Sequence, residues 1–91
     1  MPNLNLKADE IDLPTSAGAG TSFTEATLVR LVNTAAAGTN HIVTVQETAG
    51  GTGVGTFTLP GQGVEYLEKV ASWTVFASNA AVRGTKVGFT N

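Results

Sequence analysis

The sequence predicts an all-β protein, a small antiparallel β-sandwich of about six strands with an extended N-terminal arm. From residue 22 onward, short runs of β-branched and aromatic residues alternate with turns rich in Gly, Asn and Pro, which is typical of strands joined by turns. The runs recur about every 8 to 12 residues, the spacing seen in small sandwiches and barrels. A chain of 91 residues is long enough for a single core of modest size.

Six runs are predicted to form the strands: residues 27–33, 41–48, 54–59, 64–70, 73–78 and 85–90. In the second run Val43 and Val45 alternate with Thr44 and Gln46, so apolar side chains share one face, as expected of a sheet packed on a core. Residues 63–71 contain good helix formers, which leaves a helix as the alternative to the fourth strand. The predicted core takes apolar members of the runs: Val29, Leu31, Val43, Val45, Phe57, Leu59, Val75, Val87 and Phe89.

The first 20 residues differ in composition and are predicted to form an arm and linker, followed by a sandwich domain over residues 21–91. Residues 15–20 are all small, as in flexible linkers. The segment before them is too short and too interrupted to bury its own apolar side chains. We therefore expect the arm to dock on a neighbouring protein, and its predicted partner-binding residues are Leu4, Leu6, Ile11 and Leu13.

Charge and cysteine content argue against several classes of function. The formal net charge is -2 and the basic residues are scattered, whereas nucleic-acid binding depends on clustered Lys and Arg. The chain has no cysteine, which excludes disulfides, thiolate zinc sites and a cysteine nucleophile. Its N-terminal segment is acidic and lacks a long apolar run, so we expect no signal peptide and no membrane partner.

The histidine and the acidic residues of the arm do not form a catalytic or metal-binding pattern. His41 is the single histidine, and we expect it to be a half-exposed residue at the start of a strand. Asp9, Glu10 and Asp12 are expected to be solvated, or to face a basic groove on a neighbour, rather than to bind calcium. We therefore predict no catalytic residue, no cofactor and no metal.

Two other segments contain residue types that occur in catalytic or phosphate-binding sites. Glu65 and Glu68 would point to opposite faces of a strand, which argues against a paired-carboxylate site. With Lys69 beside them, solvation or an ion pair is their expected role. The glycine-rich residues 50–56 contain no lysine and lead directly into a predicted strand, so a hairpin turn explains them better than a phosphate-binding loop.

The aromatic residues are candidates for an interface anchor or a sugar-binding platform. They are Trp73, Tyr66, Phe76 and Phe23. Because the chain contains few large side chains, most of these residues are needed for the core. Trp73 is assigned either to the core or to a partner surface, and we include it among the partner-binding candidates.

Residues 28–91 carry an order of motifs, VRLVNT, HIVTVQ, GTFTLPGQGVEYLEK, WTVFASN and AAVRGTKVGFTN. This order resembles small virion structural proteins of tailed bacteriophages, notably those of cyanobacterial and marine phages. The most distinctive part is the pattern G-T-F-T-L-P-x-x-x-V-x-x-x-E-K. Its positions are filled by Gly55, Thr56, Phe57, Thr58, Leu59, Pro60, Val64, Glu68 and Lys69. The resemblance covers about two thirds of the chain.

The resemblance implies a non-enzymatic β-sandwich located in the virion and assembled in the host cytoplasm. It implies a capsid decoration or cement protein that binds and stabilises the shell, with the major capsid protein or another virion protein as partner. Such proteins are homo-oligomers in many cases, trimers among them, or lay an arm over adjacent subunits. The alternatives are a neck, tail or fibre component of the same virion, or a carbohydrate-binding adhesin module in which Trp73 and Tyr66 contact sugar.

Overall fold

The computed structural model describes the backbone of residues 3–6 and 10–90, and the side chains of residues 6, 10–16 and 18–88. Within this part, eight strands and one short 3-10 turn account for the regular structure, and the predicted all-β fold is confirmed. The 3-10 turn covers Ala17–Ala19. The strands are β1 (Asn3–Leu6), β2 (Ile11–Asp12), β3 (Leu28–Asn33), β4 (His41–Gln46), β5 (Gly53–Leu59), β6 (Val64–Glu68), β7 (Thr74–Ala77) and β8 (Val82–Thr90).

The strands form two antiparallel sheets. The larger sheet has the order β1-β8-β3-β6, and β2 also pairs with β8. Leu6 lies opposite Val87 and Ile11 lies opposite Gly84, so β1 and β2 follow one another along the same edge of β8. The smaller sheet has the order β5-β4-β7. Apolar residues from both sheets form one core cluster, as in a small sandwich.

The core contains most of the residues that the sequence predicted. Buried members of the predicted set are Val29, Leu31, Val43, Val45, Leu59 and Val75, and Phe57 is partly buried against them. Val87 is buried as well, but five residues after the core residue Val82 on the same strand it faces the opposite side of the sheet. The predicted core side chain of Phe89 lies outside the described side chains.

The strand boundaries agree with the predicted runs to within a few residues. Residues 64–68 form β6 rather than a helix, because they pair along their whole length with β3. β8 begins at Val82, three residues earlier than predicted. The turn before β8 is short, since the Val82 amide donates to the carbonyl of Asn79, and Val82 already pairs with Asn33.

The segment predicted as an arm does not extend away from the sandwich in its described part. The Leu13 amide donates to the carbonyl of Val82 in the larger sheet, and the Ala77 amide of the smaller sheet donates to the carbonyl of Pro14. Thr21 then pairs with Val75 on the outer edge of β7. Residues 11–21 therefore cross from one sheet to the other along one side of the sandwich, and the predicted linker is part of the domain.

The prediction that Leu13 inserts into a neighbouring protein is wrong. Its side chain is 2 % exposed and belongs to the core cluster. The physical reason is the alternation of side chains along β2 and the residue after it. Asp12 shares the outward face of the sheet with its partner Arg83, so Leu13 points to the inward face, between the two sheets.

A left-handed turn follows the crossing segment. Phe23, Thr24 and Glu25 have φ angles of 55°, 56° and 55°, and the Ala26 amide donates to the carbonyl of Ser22 at 3.1 Å. This conformation costs roughly 1–2 kcal/mol per non-glycine residue. Phe23 is buried in the core, so apolar burial offsets part of this cost.

Candidate interaction surface

The outward face of the larger sheet, the side away from the core, carries most of the exposed large apolar side chains that the structure describes on this sheet. The register places Tyr66 opposite Arg30, and Val64 opposite Val32, on this face. Leu6 is 70 % exposed, Val64 45 % and Tyr66 43 %. Exposed apolar groups that share one face are a common feature of protein interaction sites. We call this face the outer face.

The outer face carries a cluster of ion pairs. Glu10 lies 3.6 Å from Arg30 and 3.5 Å from Arg83, and Asp12 lies 2.9 Å from Arg83. Partly exposed pairs of this kind contribute roughly 0–1 kcal/mol each. Glu10 and Asp12 thus pair with arginines of their own chain rather than with a neighbour's basic groove, and the Asp12 side chain, 64 % exposed, is solvated as expected. Asp9 lies outside the described residues.

An open groove ends the outer face where β3 begins. β3 begins at Leu28, and residues 88–90 of β8 extend past this point. Among the described residues they pair with β1 and have no β3 residue on their other side. The space left between β8 and the end of β6 has a volume of about 630 Å³. We call it the end groove, and its lining residues are Thr27, Leu28, Glu68, Lys69, Val70, Val87 and Gly88. Leu6 pairs with Val87 and so lies next to this groove.

A second groove lies between the two sheets on the side formed by β5 and β6. It has a volume of about 230 Å³, and we call it the side groove. Its lining residues are Val45, Val54, Gly55, Thr56, Phe57, Leu67, Glu68 and Trp73. Trp73 is half-buried and packs against the core.

Trp73 and Tyr66 do not share a surface. Tyr66 faces outward with Arg30, whereas the next residue, Leu67, faces inward and lines the side groove with Trp73. A sugar platform that uses both aromatic rings therefore finds no support in this geometry. Phe23, another aromatic candidate, is in the core.

Lys69 is a buried cation that sequence analysis missed. Its ammonium, which has three N–H donors, lies within hydrogen-bond distance of four carbonyls, those of Trp73 at 2.8 Å, Ser22 at 3.0 Å, Ala71 at 3.2 Å and Val70 at 3.4 Å. Burial lowers the pKa of Lys69 below its usual value, nearby Glu25 opposes this effect, and Lys86 adds to it. Lys69 is therefore not a solvated or ion-paired surface lysine. It is hydrogen-bonded to backbone carbonyls.

Asn33 is a second buried polar residue that the sequence did not single out. Its side-chain amide nitrogen donates to the carbonyls of Leu59 at 2.9 Å and Thr39 at 3.0 Å, and its side-chain oxygen accepts from the Ala35 amide at 3.0 Å. Leu59 belongs to the smaller sheet and Asn33 to the larger. Asn33 therefore ties the two sheets and the loop between β3 and β4 together.

His41, the two glutamates of β6 and the glycine-rich turn have the positions that the sequence predicted. His41 is half-buried at the first position of β4. Glu65 lies opposite Leu31 and Glu68 opposite Leu28, so the two carboxylates are on opposite faces of β6. Gly50 has a positive φ of 74° in the turn between β4 and β5. Among the described residues, no group of three or more His, Asp or Glu side chains is placed to hold a metal ion.

The five predicted partner-binding residues have different positions. Leu6 is exposed on the outer face, and Ile11 is partly exposed at the edge of the larger sheet. Leu4 lies in β1 opposite Phe89, and its side chain is outside the described part. Trp73 lines the side groove and Leu13 is in the core, so the structure does not bring these residues into one site.

The described residues contain no helix that is long and apolar enough to cross a membrane. Searches of protein-family models, of curated protein sequences and of solved structures found no match to this chain.

Proposed function

We propose that this chain is a non-enzymatic virion structural protein, a capsid decoration or cement protein that binds the phage shell through its outer face. The major capsid protein is the proposed partner. The observation that carries the proposal is the exposure of Leu6, Val64 and Tyr66 on one sheet face. The sequence resemblance over residues 28–91 supports the virion as the location.

The physical argument rests on the free energy of burying these side chains. Fully burying one large apolar side chain contributes roughly 1.5–3 kcal/mol. Leu6 is more exposed than the other large apolar residues of the described chain, and it lies beside the end groove. A shell protein that covers Leu6 and fills this groove would gain this energy, and it would need a polar or basic group to face Glu68 in the groove lining.

The ion pairs on the outer face reduce the net charge that a partner would contact. Glu10 and Asp12 already neutralise Arg30 and Arg83, so these four residues present little net charge to a partner. A contact built on such a surface depends mainly on apolar burial, and salt should weaken it only slightly. A neck, tail or fibre component would use the same face, and the copy number per particle separates these positions from a capsid position.

Leu6→Lys tests the proposal, with Ile42→Lys as its matched control. Leu6 and Ile42 are both exposed aliphatic residues on strands. Ile42, however, lies on β4 of the smaller sheet, away from the outer face. Binding to purified particles that lack the protein is measured by co-sedimentation. We expect Leu6→Lys to lose binding and Ile42→Lys to retain it, and equal binding of the two variants would refute the proposal.

A further inference from the structure

The two sheets differ in how their edges are protected. Exposed edge strands invite pairing with another chain, and charged side chains on the edge oppose this. On the larger sheet, the edge strand β6 carries Glu65 and Glu68. On the smaller sheet, Thr21 pairs with Val75 and so covers part of the β7 edge. The edge strand β5 is unlike both.

β5 is an uncharged edge strand with an accessible outer side. Its sequence GVGTFTL contains no charged residue and no proline. It pairs with β4 on one side, and on its other side it has no strand partner within the described residues. Val54, Thr56 and Thr58 are exposed. By its composition, β5 is suited to accept a strand from another molecule.

The sequence of β5 is complementary to itself in the antiparallel direction. A two-fold axis through Thr56 places the two Thr56 residues opposite each other and Gly55 opposite Phe57 of the second copy. These residues lie in the part of β5, from Gly55 to Leu59, that keeps a regular register with β4, whereas the register shifts at Val54. Threonine pairs across antiparallel strands are favourable. An aromatic residue opposite a glycine shields the backbone of that glycine. In β6, by contrast, a two-fold axis at Glu65 would place two glutamates opposite each other.

The side groove provides room for the phenylalanine of the second copy. A Cβ atom added to Gly55 would meet nothing within 4 Å. Gly55 lies opposite the core residue Val45, so it faces the inside of the sandwich, where it lines the side groove. Residues directly opposite on antiparallel strands point to the same face. Phe57 of the second copy would therefore enter this groove beside Trp73.

We propose that β5 pairs with β5 of a second copy about a two-fold axis at Thr56, forming a homodimer with a continuous six-stranded sheet. The interface is isologous, as in most homodimers, so Phe57 of each copy enters the side groove of the other. This inference does not depend on the proposed virion function. It concerns a different sheet from the outer face, so a dimer would leave the outer face available.

Charge substitutions at the proposed axis test the dimer. Thr56→Lys and Thr56→Glu place like charges opposite each other in each homodimer. The control is Thr44→Lys, which lies opposite Thr56 on β4, on the same face but one strand further from the axis. Association is measured by sedimentation equilibrium of the full chain. We expect a dimer for the wild type and for Thr44→Lys, and a dissociation constant raised at least about fivefold for either Thr56 variant.

Mixing the two Thr56 variants gives a sharper test. Lysine opposite glutamate is favourable, so the mixture should form a heterodimer although each variant alone dissociates. Gly55→Val is a second variant, since its side chain would occupy the space proposed for Phe57 and should also weaken association. A monomeric wild type, unchanged association of Thr56→Lys, or the absence of a heterodimer in the mixture would overturn the proposal. In the first case, any strand that binds β5 would have to come from a different protein.

Discussion

The ammonium of Lys69 donates a hydrogen bond of 3.0 Å to the carbonyl of Ser22, 47 positions earlier in the chain. Ser22 begins the left-handed turn, and Lys86 donates to the carbonyl of Thr24 in the same turn at 3.0 Å. Two lysines thus hold a turn whose backbone conformation is costly. This left-handed turn also places Phe23 in the core.

Lys69→Met should destabilise the protein by about 1–3 kcal/mol near neutral pH, because partly buried carbonyls lose their donor. The carbonyls of Ser22 and Trp73, which accept the two shortest of these bonds, are the most affected. Chemical denaturation measures the change in the free energy of unfolding. Lys86→Met is the matched control, since Lys86 makes one bond in an exposed position, and it should cost less. Equal costs for the two variants would contradict the assigned role of Lys69.

The stability contributed by Lys69 should depend on pH. Its pKa in the folded protein lies below the usual value of 10.5 because of burial, so between these two values the unfolded chain binds more protons than the folded one. Stability therefore rises as pH increases from the folded pKa to about 10.5. The free energy of unfolding, measured across this range for the wild type and Lys69→Met, should show a rise that only the wild type has. Parallel curves would show that the pKa of Lys69 is not lowered.

Asn33→Leu should cost about 2–4 kcal/mol, because the substitution leaves one buried and two partly buried backbone groups without their partner. These are the carbonyls of Leu59 and Thr39 and the Ala35 amide. Thr34→Ala removes one exposed bond to the carbonyl of Ala81 and should cost less than about 1 kcal/mol. The midpoint of urea unfolding compares the two variants. If Asn33→Leu were neutral, the link between the sheets would not matter to stability.

Gly84→Ala should destabilise the core by about 1–3 kcal/mol through overpacking. A Cβ atom at this position would lie 2.6 Å from the Phe23 ring and 2.9 Å from a methyl group of Leu31. Gly53→Ala is the control, since a Cβ atom there meets nothing within 4 Å. Combining Gly84→Ala with Phe23→Leu should recover part of the loss. Strict additivity of the two changes would mean that Phe23 and residue 84 are not in contact.

Leu13→Ala should cost about 2–5 kcal/mol, the range for removing a buried leucine side chain. Leu6→Ala, at an exposed position of the same segment, should change stability by less than about 0.5 kcal/mol. Thermal unfolding of the isolated chain measures both. If Leu13→Ala left stability unchanged, Leu13 would be free to bind a neighbour, as its position near the N-terminus first suggested.

The strands could be predicted from the sequence because their signal is local. Alternation of Val43 and Val45 with polar residues identifies β4, and glycines such as Gly50 mark the hairpin that follows. Leu13 could not be assigned in this way. It follows a strand of two residues, which is too short to show any periodicity, and its burial depends on Val82 and Ala77 far along the chain.

The buried polar residues could not be predicted for a related reason. Nothing next to Lys69 in the sequence distinguishes it from a solvated lysine, since the partner Ser22 is supplied by the tertiary fold. The same holds for Asn33 and Leu59, which are 26 positions apart. The outer face and the side groove likewise depend on strand register, which sets the neighbours of Leu6 and Gly55. Local patterns do not determine that register.

Under the proposed function the chain is encoded by a phage, and quantitative mass spectrometry of purified particles of that phage is the most direct test. We predict that the chain is present in every preparation, in a fixed ratio to the major capsid protein and in many copies per particle. A few copies per particle would assign it to the neck, tail or fibre instead. Absence of the chain from purified particles would contradict the account.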